Sequence, residues 1–238
     1  MKLFSIAVLL SGSGSNLQAL LDAQDARSLG AEVGLVLSDR ADAYGVQRAL
    51  GRNIPAAFVP LPRVAGPPEA RAAARADWER RLLGVLNAFA YDLVLLSGFM
   101  RVLSADFLAG CRAPVINQHP ALLPDPSRPF DASAASGGDT VTTSAGIVIP
   151  ALRGAHVVAD ALRRGLPVTG CTIHRVTPAV DDGPVLARAE VPVLPGDDQA
   201  ALHERIKAEE RRLLVEVIAR LAREGTRVPE TGPYSSEQ

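Results

Sequence analysis

"VLLSGSGSNLQALLDA", residues 8–23, holds three kinds of chain in one short run. Val8-Leu9-Leu10 closes an apolar stretch with strand character. Ser11–Gly14 is a glycine turn. From Ser15 onward, Leu17, Leu20 and Leu21 recur at helical spacing. Strand, tight turn and helix in that order are the first half of a βαβ unit. Gly12 and Gly14 let the backbone turn sharply and come close to a ligand. The helix start presents free N–H groups and the positive end of the helix dipole, which suits a phosphate. Ser15 or Asn16 can cap that helix or bind the anion directly. The dinucleotide fingerprint G-x-G-x-x-G is not met, because Leu17 stands at the third glycine position. Asp39, at the end of the next strand, could still hold a ribose. A nicotinamide site therefore stays open at this point, as does a well-capped turn with no ligand.

The same alternation continues along the chain. The pattern predicts strands at 3–10, 32–38, 55–59, 92–97, 113–117, 169–176 and 184–193. It predicts helices at 15–27, 43–50, 69–89, 104–110, 155–164 and 198–223. Runs such as "LVLLSG" are apolar on both faces, as a sheet covered on both sides requires. The expected fold is α/β: Rossmann-like and doubly wound, a mostly parallel sheet with helices on both faces. The last two strands have no helix between them, so an antiparallel pair should close the sheet near the C-terminal end. Residues 1–223 read as one domain and 224–238 as a polar, loosely attached tail. One segment breaks the rhythm. Residues 125–151, rich in Ser, Thr, Ala and Gly, lack a helical period and read as an inserted loop, a lid, a binding loop or disorder.

Composition narrows the function. The 238 residues are 47% hydrophobic, and 25 basic against 26 acidic residues leave a formal net charge of -1. With no long basic run, a nucleic-acid partner is not expected. No apolar stretch reaches the length of a membrane span, so no membrane partner is expected either. Met1-Lys2 leads straight into a strand with no cleavage signal, which predicts a cytoplasmic protein. Cys111 and Cys171 have no metal or redox spacing and read as small buried hydrophobes in a reducing compartment.

The chemistry concentrates in "APVINQHPALLP", 113–124. Asn117 and His119 fall at the carboxyl end of a predicted strand, where doubly wound sheets bind ligands. Pro120 restricts His119 to an extended conformation. An Asn amide can donate to a developing oxyanion, and a His can move a proton near neutral pH. A carboxylate beside the imidazole would favour its charged form. Asp181 and Asp182, in the loop before the last strand, are the candidates, and spacing alone does not choose between them.

These residues, with "VLSDRADAYGVQRA", "DLVLLSGFMRVLS", "GCTIHRVTPAVDDGPVLARAEVPV" and "LHERIKAEERRLL", occur in an order that resembles the folate-dependent glycinamide ribonucleotide formyltransferases of purine synthesis, over roughly 3–221. The resemblance implies transfer of a formyl group from 10-formyltetrahydrofolate, as co-substrate, to the amine of 5'-phosphoribosylglycinamide, without a metal or a covalent enzyme intermediate. It implies that Asn117, His119 and Asp181 are catalytic. It further implies that Gly14, Ser15 and Asn16 bind the substrate phosphate, and that Glu210 holds the glycinamide end. The folate would lie against Met100, Arg101, Val102, Leu103 and Asn117, with Arg75, three residues before Trp78, a further contact. His156 and His174 remain open between substrate contact and packing.

Two departures stand out. Gln118 occupies the middle of N-x-H-P, where the family has an apolar residue or Thr, and strand alternation points it away from the site. The family's short F-P-G-x-H turn directly after L-L-P appears here only at "LRGAH", 152–156, behind the insert. A 10-formyltetrahydrofolate hydrolase shares the catalytic trio but usually carries a leading regulatory domain, which is not expected with a glycine loop near residue 11. A nucleotide-binding module without turnover is the reading from another class. The expected partners are small molecules.

Overall fold

The computed structural model describes residues 3–125, 140–225 and 228. They cluster into two compact units, Met1–Ile116 with Ile218–Thr226, and Asn117–Val217 with Arg227–Gln238. Seven strands form one mostly parallel sheet. In chain order they are β1 (Phe4–Leu10), β2 (Ala31–Ser38), β3 (Ala56–Phe58), β4 (Leu93–Leu96), β5 (Val115–His119), β8 (Val168–Arg175) and β9 (Val185–Pro192). Their order across the sheet is β3-β2-β1-β4-β5-β8-β9.

In the first unit β1 pairs in parallel with both β2 and β4, and β2 with β3. Ile6–Leu10 and Leu93–Leu95 are fully buried. Burying each such Leu or Val contributes roughly 1.5–3 kcal/mol, against about 1 kcal/mol for a helix cap, so apolar burial decides this unit. The chain runs outward from β1 through β2 to β3, then returns to β4. Strand order therefore reverses between β1 and β4, the point where doubly wound sheets hold ligands. α1 (Ser15–Asp25) and α2 (Tyr44–Leu50) follow the first two strands. α3 (Pro68–Asn87) buries Trp78, Leu82 and Leu86 in one stripe, and Trp78 Nε1 donates to the Val59 carbonyl at 2.8 Å. α4 (Ala105–Gly110) is capped by Ser104, whose hydroxyl accepts from the Phe107 N–H.

In the second unit β8 and β9 are antiparallel, from Val168 opposite Pro192 to His174 opposite Val185. α5 (Val157–Arg163) precedes β8, and α6 (Gln199–Glu224) follows β9. The inserted segment holds two strands that the sequence reading left out: β6 (Thr140–Thr142) and β7 (Val148–Pro150) pair as an antiparallel hairpin. Their β-branched residues alternate faces, so Val141 and Ile149 join Leu122 and Val168 in a small core. Gly146, with φ +77°, closes the turn by donating its N–H to the Thr143 carbonyl at 2.9 Å. Residues 126–139, and the expected tail beyond Gly225 apart from Val228, lie outside the described residues.

One strand boundary is corrected. β5 runs to His119 rather than stopping at Asn117, because backbone pairing continues through polar side chains until Pro120, which has no N–H to give. Asn117 thus sits within the strand and His119 at its carboxyl end, while alternation turns Gln118 to the opposite face.

Candidate active site

In the second unit, His119 is buried at the end of β5. Its Nε2 donates to the Leu152 carbonyl at 2.7 Å, and its Nδ1 lies 3.3 Å from Asp181 Oδ2. Each ring nitrogen faces an acceptor, so the doubly protonated ring satisfies both. Asp181 also accepts from the Gly154 N–H at 3.0 Å. Its φ of +53° is the left-handed conformation, which costs a non-glycine residue about 1–2 kcal/mol and must be held by its surroundings. Asp182 is turned away: its carboxylate pairs with Arg153 at 3.2 Å. Geometry thus puts Asp181, and not Asp182, on the imidazole.

His174, on β8, completes the cluster. Its Nδ1 lies 2.9 Å from the Arg175 carbonyl, which can only accept, so Nδ1 carries the proton. Nε2 then accepts from the Asn117 amide at 3.3 Å and fixes which way that amide points. Burial pushes the His174 pKa below its ordinary value, with the His119 charge adding to the effect; the Arg175 carbonyl and the Asp181 carboxylate oppose it. A neutral His174 suits this role, because its Nε2 must stay bare. Sequence reasoning left His174 open, for nothing in the chain shows that positions 117 and 174 meet. His156, by contrast, is an exposed residue at the start of α5.

The first unit carries the other expected residues. Gly14, with φ +68°, caps α1, and no side chain caps it. Ser15 and Asn16 are the first helical residues rather than the cap, because only glycine takes the left-handed turn here without strain. A Cβ on Gly14 would lie 2.7 Å from Gly45 Cα, whereas one on Gly12 would meet nothing within 4 Å, so the loop is tight beneath and open above. Arg48 supports it from α2, donating from Nε to the Ser13 carbonyl at 2.9 Å.

At the β1/β4 reversal the Ser11 hydroxyl donates to Asp39 Oδ1 at 2.6 Å and accepts from the Met100 N–H at 2.9 Å. Arg101 Nε donates to Asp39 Oδ2 at 2.6 Å. Each oxygen of Asp39 thus already accepts a hydrogen bond, and a nicotinamide ribose would have to share the carboxylate with Ser11 and Arg101. Met100 and Val102 are 72% and 58% exposed, two apolar side chains on the surface. Phe99 stacks on Trp78 beneath them, with ring centroids 6.3 Å apart. Arg75 reaches the Val102 carbonyl and pairs with Glu79 at 3.5 Å. Leu103 is buried. A cavity of about 540 Å³ opens beside Arg101, lined by Asp42, Phe58, Leu61 and Arg63 among others.

Glu210 is buried on α6, in the second unit. Burial, with the Glu210 and Glu209 charges adding, pushes the Cys171 thiol up to about 12, and burial alone takes Cys111 to about 12. Neither thiol is a nucleophile near neutral pH. Among the described residues no helix is long and apolar enough to cross a membrane, and no cluster of His, Cys, Asp or Glu could hold a metal ion.

A doubly wound, mostly parallel sheet defines a class, and the comparisons agree with it. The model of the formyl transferase family matches residues 4–137 and 146–218, its break falling inside the insert. This chain belongs to that family. It is 39% identical over 223 residues to the phosphoribosylglycinamide formyltransferase of Mycobacterium tuberculosis, covering 94% of this chain and 87% of that one. The Escherichia coli protein of the same name is 32% identical over 215 residues, covering 90% and 85%. The crystal structure of glycinamide ribonucleotide transformylase 1 from Symbiobacterium toebii superposes with a TM-score of 0.74 at 36% identity, covering 93% of this chain and 89% of that one.

Proposed function

We propose that the chain transfers the formyl group of 10-formyltetrahydrofolate to the amine of 5'-phosphoribosylglycinamide, giving formylglycinamide ribonucleotide and tetrahydrofolate in cytoplasmic purine biosynthesis. The reading is carried by one observation: in a formyl transferase chain, the Asn117 amide meets His174, and Asp181 lies 3.3 Å from His119 and 3.6 Å from His174, so the four side chains form one cluster. Attack of the amine on the formyl carbon makes a tetrahedral intermediate with a negative oxygen. The second N–H of the Asn117 amide, left over from its bond to His174, donates to that oxygen. The Nδ1–H of His119, on a contact to Asp181 longer than usual for a charge-assisted bond, is the donor that oxygen can share. Asp181 keeps the ring charged and oriented. The proton lost by the attacking amine balances the one gained by the leaving folate nitrogen, and His119 moves it.

In the same reading Gly14, Ser15 and Asn16 receive the ribonucleotide phosphate, supported by the uncapped start of α1. Glu210 holds the glycinamide end. The folate lies against the exposed Met100 and Val102 and the segment that ends at the buried Leu103, with Arg75 and Arg101 as cations for its carboxylates. The test is release of the formyl group, followed by folate absorbance, with the ribonucleotide added or omitted. Turnover only with the ribonucleotide is expected. Equal turnover without it would make water the acceptor and the chain a hydrolase.

A further inference from the structure

We infer that Arg153 is a positioning residue for the reaction proposed above: it holds the Asp181–Gly183 loop against the turn Leu152–Gly154 and so keeps the Asp181 carboxylate on His119. The inference rests on that reading of His119 and Asp181.

Three consecutive residues of the turn each hold part of the pair. The Leu152 carbonyl accepts from His119. Arg153 donates from Nε to the Asp181 carbonyl and from Nη2 to the Asp182 carboxylate, both at 3.2 Å. The Gly154 N–H donates to the Asp181 carboxylate. One guanidinium therefore spans two successive loop residues, which its rigid fork allows and a lysine ammonium does not. The loop needs holding, because Asp181 is left-handed. It is also blocked from behind: a Cβ on Gly183 would lie 1.9 Å from the Arg175 carbonyl oxygen. With retreat in that direction closed, Arg153 secures the other side.

The turn has its own anchor. β7 ends two residues before Leu152, with Ile149 in the core beside Leu122. At the hairpin tip, the Ser144 backbone N–H and hydroxyl both donate to the Glu190 carboxylate of β9. The described end of the insert is thus tied down at its tip and in its core, and it delivers Leu152–Gly154 to the pair. Asp182 serves as the tether for the fork, which leaves Asp181 to the imidazole.

The test is Arg153→Ala, with Arg153→Lys, Asp182→Asn and the exposed Arg163→Ala beside it. In Arg153→Ala kcat should fall about 10-fold or more, since small misplacements of a reacting group are costly. KM for both substrates should stay within about twofold, and the thermal midpoint should change little. Arg153→Lys should recover part of kcat. Arg153→Ala with Asp182→Asn should fall no further than Arg153→Ala alone, because the two share one contact. At fixed pH, the ring-nitrogen NMR signals of His119 should move in Arg153→Ala and stay put in Arg163→Ala. An unchanged kcat with unmoved ring signals would overturn the inference, as would a rise confined to KM. Wild-type protein that releases no formyl group would refute the proposed reaction, while the ring signals would still decide the role of Arg153.

Discussion

Two aspartates, each beside a basic side chain, are built very differently. In the first unit Asp39 is closed on both sides: Ser11 and Arg101 donate to its two oxygens at 2.6 Å each. In the second unit Asp181 is held at longer range. His119 is 3.3 Å away, the Gly154 N–H donates at 3.0 Å, and Asp181 itself is in the left-handed conformation. Short contacts to both oxygens fix the Asp39 carboxylate in place. The longer contacts around Asp181 can shorten or exchange as charge develops beside His119. The same residue type is held tightly in one place and more loosely in the other, and contact length separates the two.

The largest test of that contrast is at the loosely bonded end. His119→Ala or Asn117→Ala should lower kcat by about 10²–10³, the usual loss for one preorganised oxyanion donor, with the thermal midpoint showing the fold intact. Near-normal turnover in both would end the distinction drawn here. At the saturated end, Asp39→Asn should do the reverse. It breaks a pair whose Asp is buried but whose Arg is 38% exposed, so solvent screening limits the loss to about 1–2 kcal/mol. A urea midpoint would measure that, with kcat changed less than threefold. The smallest effect concerns His174. Its folded pKa is lowered, so on acidification the unfolded chain takes up a proton that the folded chain refuses. Stability present above the ordinary value near 6.5 is therefore lost as pH falls below it. Between pH 7 and 5 the wild-type unfolding midpoint should drop further than that of His174→Gln, and parallel curves would mean His174 is not held neutral.

Much of the fold was legible locally. Each of the seven strands and six helices expected from periodicity is present, because a strand buried on both faces and a helix with one apolar stripe both write their period into the chain. The turn at Gly12–Gly14 and the constraint of Pro120 on His119 are also short-range effects. What the sequence could not show depends on closure over long spans. Asp181 and Asp182 are equivalent until Arg153 takes one and His119 the other. His174 gains a role only when β8 brings it to Asn117. Asp39 looked available for a ribose until Arg101, far along the chain, occupied it. The strands at 140–150 were hidden for a different reason. They are three residues each, too short for alternation to stand out in a segment rich in Ser, Thr and Gly.

The close fit of Gly14 on Gly45 has a consequence for how this protein tolerates change. Gly45 lies within α2, where alanine would ordinarily be an improvement. A Cβ there would meet Leu10 at 2.4 Å, and one on Gly14 would meet Gly45 at 2.7 Å. The Gly12–Gly14 loop, the second helix and the first strand are thus closely stacked. In a saturation screen scored by growth without added purines, Gly45 would rank with Asn117 although it touches nothing that reacts. A map of intolerant positions would then trace two outlines together, the groups proposed to react and the places where packing leaves no room for a side chain, and only a structure tells them apart.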